Sequence, residues 1–250
     1  IMKKSKSHLR LFTEEVLHKG KVVSLKSKQI HYLTNVMRKS ISDQLIVFNN
    51  SDGEWISEIE IIRKKECLIR CIKCLKENEE ISDLWLIFSP VKNVRMEFII
   101  QKATELGVSK ILPVKTSFCQ FVKLNEKKLK FNAIEAAEQT GRISVPIISE
   151  FKDLALVLKN LDKDRIIFFC DESLSGNFSK HNFYSREYIN KPAAILIGPE
   201  GGFSKDEKDT ILSNLNVVSI SLGSNILRSD TAAVSAITLY QAFYGKWYQK

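Results

Sequence analysis

Two stretches of the chain combine glycines, small polar residues and a following helical pattern in a way that suits ligand binding. The first is Ile197-Gly-Pro-Glu-Gly-Gly-Phe-Ser204, which leaves a continuous apolar run and enters a segment with Ser204 in helix-capping position. The second is Leu222-Gly-Ser-Asn-Ile-Leu-Arg-Ser-Asp-Thr-Ala232, again between an apolar run and a helical segment. Glycines let backbone come close to a ligand, and the unpaired N–H groups of a helix start can serve its acceptors. Each stretch alone is also compatible with a plain tight turn. A phosphate-binding P-loop does not fit, because the Gly-Lys-Ser/Thr ending is missing, and no early strand is followed by a G-x-G-x-x-G dinucleotide fingerprint. Cys67-x-x-x-Cys71-x-x-Cys74 has the spacing of a three-thiolate iron–sulfur ligand set. The surrounding Cys67–Leu75 alternates as a strand does, with Cys67 and Cys71 on one face and Cys74 on the other, so the thiols cannot converge. Buried or edge-strand cysteines are the expectation, and His8, His18 and His181 are too scattered to suggest a metal site.

These loops need a scaffold, and the pattern from Leu84 onward supplies one. Leu84–Phe88, Lys110–Val114, Arg165–Phe169, Ala193–Ile197 and Val217–Leu222 read as strands, the most apolar of them as buried parallel ones. Helical spacing predicts helices over 94–106 (through Met96, Ile99, Ala103 and Leu106, closed by Gly107), 126–140 (closed by Gly141), and near 204–214 and 230–245. Such alternation predicts an α/β domain with a mostly parallel sheet covered on both faces, and ligands in such sheets sit at the carboxyl ends of the strands. Residues 171–192 read as a long polar loop.

The first 75 residues have a different texture. Leu45–Phe48 and Glu54–Glu60 are strand-like runs around the turn cluster Asn49–Gly53, and 29–38 carries one short helix through Ile30, Leu33 and Met37. A small β barrel is expected over 1–75, a linker over 76–83 and the α/β domain over 84–250. The net charge of +9 is concentrated: residues 1–40 carry +8, residues 41–76 are neutral, and the rest adds +1. A basic surface of this kind favours a polyanion through counterion release, although a lysine-rich solvated face reads the same. No apolar run approaches the ~18–20 residues a bilayer requires, and no signal peptide is evident, so neither membrane insertion nor secretion is expected. Five cysteines, an odd number in a long chain, suit a reducing cytoplasm.

Taken together the two loops resemble the signature pair of the RsmE family, bacterial 16S rRNA uridine-N3 methyltransferases of the SPOUT (trefoil-knot) superfamily. Gln101–Val108, Glu135–Arg142, His8–Phe12 and His31–Arg38 are similar to the family as well, in order, over about residues 8–245. The resemblance implies a trefoil-knotted catalytic domain that binds S-adenosyl-L-methionine (SAM), releases S-adenosyl-L-homocysteine, needs no metal and dimerises. It implies a PUA-like RNA-binding barrel in front, and as substrate a uridine in the decoding region of 16S rRNA, either as free RNA or within the small ribosomal subunit. Cofactor contacts carried over are Ile197, Gly198, Pro199, Glu200, Gly201, Leu222, Gly223, Ile226, Leu227, Arg228, Thr231 and Ala232. RNA contacts are Arg10, His31, Arg38 and Lys92, with Lys3, Lys4 and Lys6 as unspecific additions. Arg142 and Arg228 are the candidate catalytic cations, and Glu138 and Asp230 the acids that could orient them or take the proton. Two departures stand out: Phe118 where the family often has arginine, and Asp230 where many members have glutamate. The alternatives are the same fold acting on a ribose 2′-OH or another base, and an RNA-binding assembly factor without catalysis.

Overall fold

A computed structural model describes residues 9–78, 82–174, 185–245 and 247. Lys3, Lys4, Lys6, His8, His181, and parts of the expected 76–83 linker and 171–192 loop lie outside the described residues. The chain divides into two compact units, residues 1–80 together with 137–145, and residues 81–136 together with 146–250.

The first unit is a five-stranded mixed sheet in the order β1 (Arg10–Phe12), β3 (Gln44–Asn49), β4 (Gly53–Arg63), β5 (Glu66–Lys76), β2 (Val22–Ser24). Only the β1–β3 pair is parallel. The hairpin between β3 and β4 turns where the Asn49–Gly53 cluster predicts it. The Asn49 Oδ1 accepts from the backbone N–H groups of Ser51 and Asp52, and the Asp52 carboxylate accepts from Leu17 N–H and the Asn49 amide. Alternation then buries Leu45, Val47, Ile59, Cys67, Ile69 and Cys71 in one core with Leu11, Ile30 and Leu33. Cys67 and Cys71 thus share the buried face and Cys74 does not belong to that core. The short helix α1 (Ser27–His31) runs on into a single π-helical turn, Tyr32–Val36, burying Ile30 and Leu33 and leaving Met37 40% exposed.

The second unit is a parallel sheet in the order β12 (Val217–Ile220), β10 (Ile166–Cys170), β11 (Ala193–Ile197), β6 (Leu84–Phe88), β7 (Lys110–Lys115), β8 (Ile147–Ile148), with β9 (Lys152–Asp153) also paired to β7. Helices α2 (Asn93–Glu105), α3 (Glu126–Thr140), α4 (Leu154–Lys159), α5 (Lys205–Leu212) and α6 (Ser229–Phe243) connect or flank the strands. Every residue of β11 is buried, as a strand covered on both faces requires. β10 starts at Ile166, and the guanidinium of the preceding Arg165 stacks 3.5 Å over Trp85 and pairs with Asp83 and Asp162. No helix among the described residues is long and apolar enough to cross a membrane.

Candidate active site

The three neighbouring strands β12, β10 and β11 end side by side at Ile220, Cys170 and Ile197, and a cleft of about 340 Å3 opens beyond them. That volume is within the ~300–1,000 Å3 usual for small-molecule sites. One wall is the loop Ile197–Gly201, a second is Ile220–Ser229, and the floor includes Ala232 on the first turns of α6. The third wall, Cys170-Asp171-Glu172, is absent from the sequence expectation. The signal for it was available: two acids follow an apolar strand at the carboxyl edge of the sheet, where ligands collect.

The glycine loop is held at several points. Ser229 Oγ, on the first turn of α6, donates to the Gly198 carbonyl at 2.8 Å, which ties the two loops together. Gly202 N–H closes a turn onto the Pro199 carbonyl. The loop then enters α5 through a reciprocal cap: Ser204 Oγ accepts from Glu207 N–H, and the Glu207 carboxylate accepts from Ser204 N–H. Glu207 also accepts from Ser117 N–H at 2.7 Å. A side chain at Gly198 would put its Cβ 2.8 Å from the Phe203 ring. Gly202 has φ +68 and lies directly against the Glu172 carboxylate. Phe118 is half exposed and packs on Gly201, where an added Cβ would sit 3.1 Å from its own.

All the expected cofactor-contact residues line this cleft except Thr231, which is exposed on the first turn of α6. Arg228 is the N-cap residue of α6 and exposed at the cleft wall; Asp230 sits in the first turn, its Oδ1 accepting from Thr231 N–H. Burial pushes the Cys170 thiol pKa up. Burial also acts to raise Asp171, but the Ser173 hydroxyl and N–H and the Lys208 ammonium outweigh it, and the carboxyl ends below its usual value. The Glu200 carboxylate turns away to pair with Arg95 of α2 at 3.0 Å, and Lys92, Arg95, Gln120 and Glu200 surround a further hollow of about 250 Å3. Lys92 therefore stands beside the glycine loop. Among the described residues no group of His, Cys, Asp or Glu side chains is arranged to hold a metal ion.

The remaining candidates belong to the first unit. His31 and Arg38 are exposed, and Arg38 adopts φ +50, a left-handed conformation uncommon outside glycine. Arg10 faces inward, its side chain 10% exposed and paired to Glu54 at 2.7 Å. Its guanidinium donates to the carbonyls of Ala137, Glu138 and Arg142. Glu138 accepts the Phe12 N–H at 2.9 Å. Arg142 is half buried, donates through Nε to Ser144 Oγ, and burial lowers its pKa to about 10, so it is cationic at neutral pH.

The model of the RNA methyltransferase domain family matches residues 77–241, and that of the RNA methyltransferase PUA domain matches residues 25–71. The ribosomal RNA small subunit methyltransferase E of Rickettsia conorii is 35% identical over 91% of this chain and 93% of its own length. The Bacillus subtilis protein of the same name is 30% identical over 90% and 92%. Among solved structures, a Legionella pneumophila protein with bound SAM is 28% identical and superimposes with a TM-score of 0.84 over 94% of this chain and 97% of its own. The Neisseria gonorrhoeae ribosomal RNA small subunit methyltransferase E, also bound to SAM, shares the fold at 23% identity and a TM-score of 0.83, over 95% and 98% of the two chains.

Proposed function

The chain belongs to the RNA methyltransferase family that includes the ribosomal RNA small subunit methyltransferases E, and from that premise we propose that it methylates N3 of a uridine in the decoding region of 16S rRNA. The observation that carries this reading is the glycine-walled cleft at the carboxyl ends of β12, β10 and β11. Its residues fit SAM. Ile197, Ile220 and Ala232 give an apolar surface for an adenine, the glycine loops offer backbone N–H and carbonyl groups, and Asp171 and Glu172 add negative charge for a cationic ligand. SAM, once bound, supplies a methyl group already activated on a sulfonium.

The protein's share is then positioning and charge stabilisation. Neutral uracil N3 carries a proton between two carbonyls, so it becomes nucleophilic only as that proton leaves and charge spreads onto the flanking oxygens. A fixed cation near those oxygens stabilises that charge. Arg228, at the cleft wall, and Arg142 are the residues we assign to this task. Asp230 and Glu138 are the candidate acids. One oxygen of each accepts a backbone N–H, Glu138 from Phe12 and Asp230 from Thr231. The division of labour follows the charge map: residues 1–75, with His31 and Arg38, grip the RNA, residues 84–250 hold SAM, and Lys92 guides the strand at the glycine loop. The reading extends to a cytoplasmic homodimer with trefoil threading around the two loops, acting on free 16S rRNA or on the small subunit.

Calorimetric titration with SAM, followed by nuclease digestion and mass spectrometry of RNA methylated by the protein, tests the reading. Saturable SAM binding and 3-methyluridine in the digest are expected. A 2′-O-methyl or other modified nucleoside would replace the target while keeping the cofactor. A folded protein that binds RNA and leaves SAM unbound would favour the assembly-factor alternative.

A further inference from the structure

Residues 137–145 begin within α3, carry both Glu138 and Arg142, and belong to the β-sheet unit. That unit grips them at both ends. At the first end Arg10 Nη1 donates to the carbonyls of Ala137 at 2.6 Å and Glu138 at 3.2 Å, and Nη2 donates to the carbonyl of Arg142 itself at 3.1 Å. The last carbonyls of a helix have no internal donor, and they form the negative end of its dipole. A buried guanidinium answers both needs. Arg10 is in turn fixed by Glu54, whose side chain is 6% exposed, and by the Phe48 ring 4.3 Å beneath it. At the other end the Asn50 side chain brackets Val145, donating to its carbonyl and accepting its N–H, each at 2.9 Å. Arg142 lies between these two holds.

We infer that Arg10 is a positioning residue for Arg142 rather than an RNA contact, and that Asn50 completes the clamp. The inference rests on the proposed role of Arg142 at the reaction centre. It also gives the β-sheet unit a second task, setting the position of a catalytic cation. An arginine is required because one planar fork meets three carbonyls and a carboxylate at once, whereas lysine offers a single nitrogen. A shift of ~1 Å in such a group costs on the order of 100-fold in rate.

The test compares full-length Arg10→Lys, Asn50→Ala, Arg142→Gln and the Arg10→Lys/Arg142→Gln double variant. Turnover on 16S rRNA, KM, SAM affinity, melting temperature and the salt dependence of RNA affinity are measured for each. Arg10→Lys and Asn50→Ala should each lower kcat at least tenfold, with SAM affinity and the salt slope unchanged, and the double variant should be no slower than Arg142→Gln. If Arg10 instead bound a phosphate, lysine would keep that contact and kcat would stay near the parent's, and any loss would multiply with that of Arg142→Gln; either result overturns the inference. An Arg142→Gln enzyme with full kcat would remove the catalytic reading of Arg142, and the clamp's purpose with it. If Arg10→Lys fails to fold, Asn50→Ala decides the matter, because it opens the clamp without disturbing the Arg10–Glu54 pair.

Discussion

At Gly198 the backbone runs so close to the Phe203 ring that a methyl group would sit 2.8 Å from it, and Phe203 is itself packed in the core of the sheet. Neither partner can move without displacing the loop that walls the cleft. Gly198→Ala should therefore weaken SAM binding at least tenfold, about 1.4 kcal/mol, with a smaller effect on melting temperature; calorimetry showing unchanged affinity would sink the proposed role of this loop. Arg228 presents the opposite case. It is exposed, and its backbone caps α6 at the cleft wall. Arg228→Ala should lower turnover far more than SAM affinity, and a pure loss of SAM binding would remove it from the reaction centre. Residue types and spacing drew attention to both loops, although either alone also suits a plain tight turn, and the family resemblance of the pair singled out these positions. Residue types and spacing could not make Arg10 legible. Nothing in a one-dimensional sequence tells whether a guanidinium faces solvent or folds back onto carbonyls more than 120 residues further along the chain.

Elements were legible where an apolar run or several helical turns mark them. Leu84–Phe88 and Ala193–Ile197 have the bounds their apolar runs predict, and Glu126–Thr140 those of the helical segment closed by Gly141. The two-residue strands β8 and β9 and the six-residue α4 carry too few side chains for a period and exist through pairing or packing with the unit's sheet. The Asn49–Gly53 turn was readable from the side chains that organise it, whereas the Asp171 turn was not, and both make the fold sensitive to acid. The Asn49 amide and the Leu17 N–H hold Asp52 below its usual pKa, despite opposing desolvation, and Asp171 is lowered by Ser173 and Lys208. A carboxyl depressed in the folded state stabilises fully above its unfolded pKa, near 3.8, and loses that contribution as pH falls through the folded value. Melting temperature should therefore decline below about pH 4, and Asp52→Asn and Asp171→Asn should each flatten that decline while lowering stability at neutral pH. Acid limbs identical to the parent's would show that these carboxylates contribute nothing.

On the scale of the whole molecule, charge and chain division carry different information. The +8 of residues 1–40 is plain from residue types alone, and it is the reason the first unit is proposed to face RNA. That residues 137–145 share a unit with 1–80 is not, because a helix that reads as continuous gives no sign of changing company at Ala137. Deleting residues 1–75 would consequently remove Arg10, Phe12 and Asn50 from that segment, so a loss of activity in such a truncation says nothing specific about RNA. The cleft is lined wholly by residues of the second unit, and its ligand can be followed separately. Substitutions in the intact chain separate the two tasks. Each phosphate contact steepens the fall of log affinity with log salt by roughly 0.7–0.9. Arg38→Ala and Lys92→Ala, both at exposed cations, should each flatten that slope by about one contact, raise KM for RNA and leave SAM affinity unchanged. If both slopes stay at the parent's value, Arg38 and Lys92 are solvated cations, and the RNA must be held by other groups.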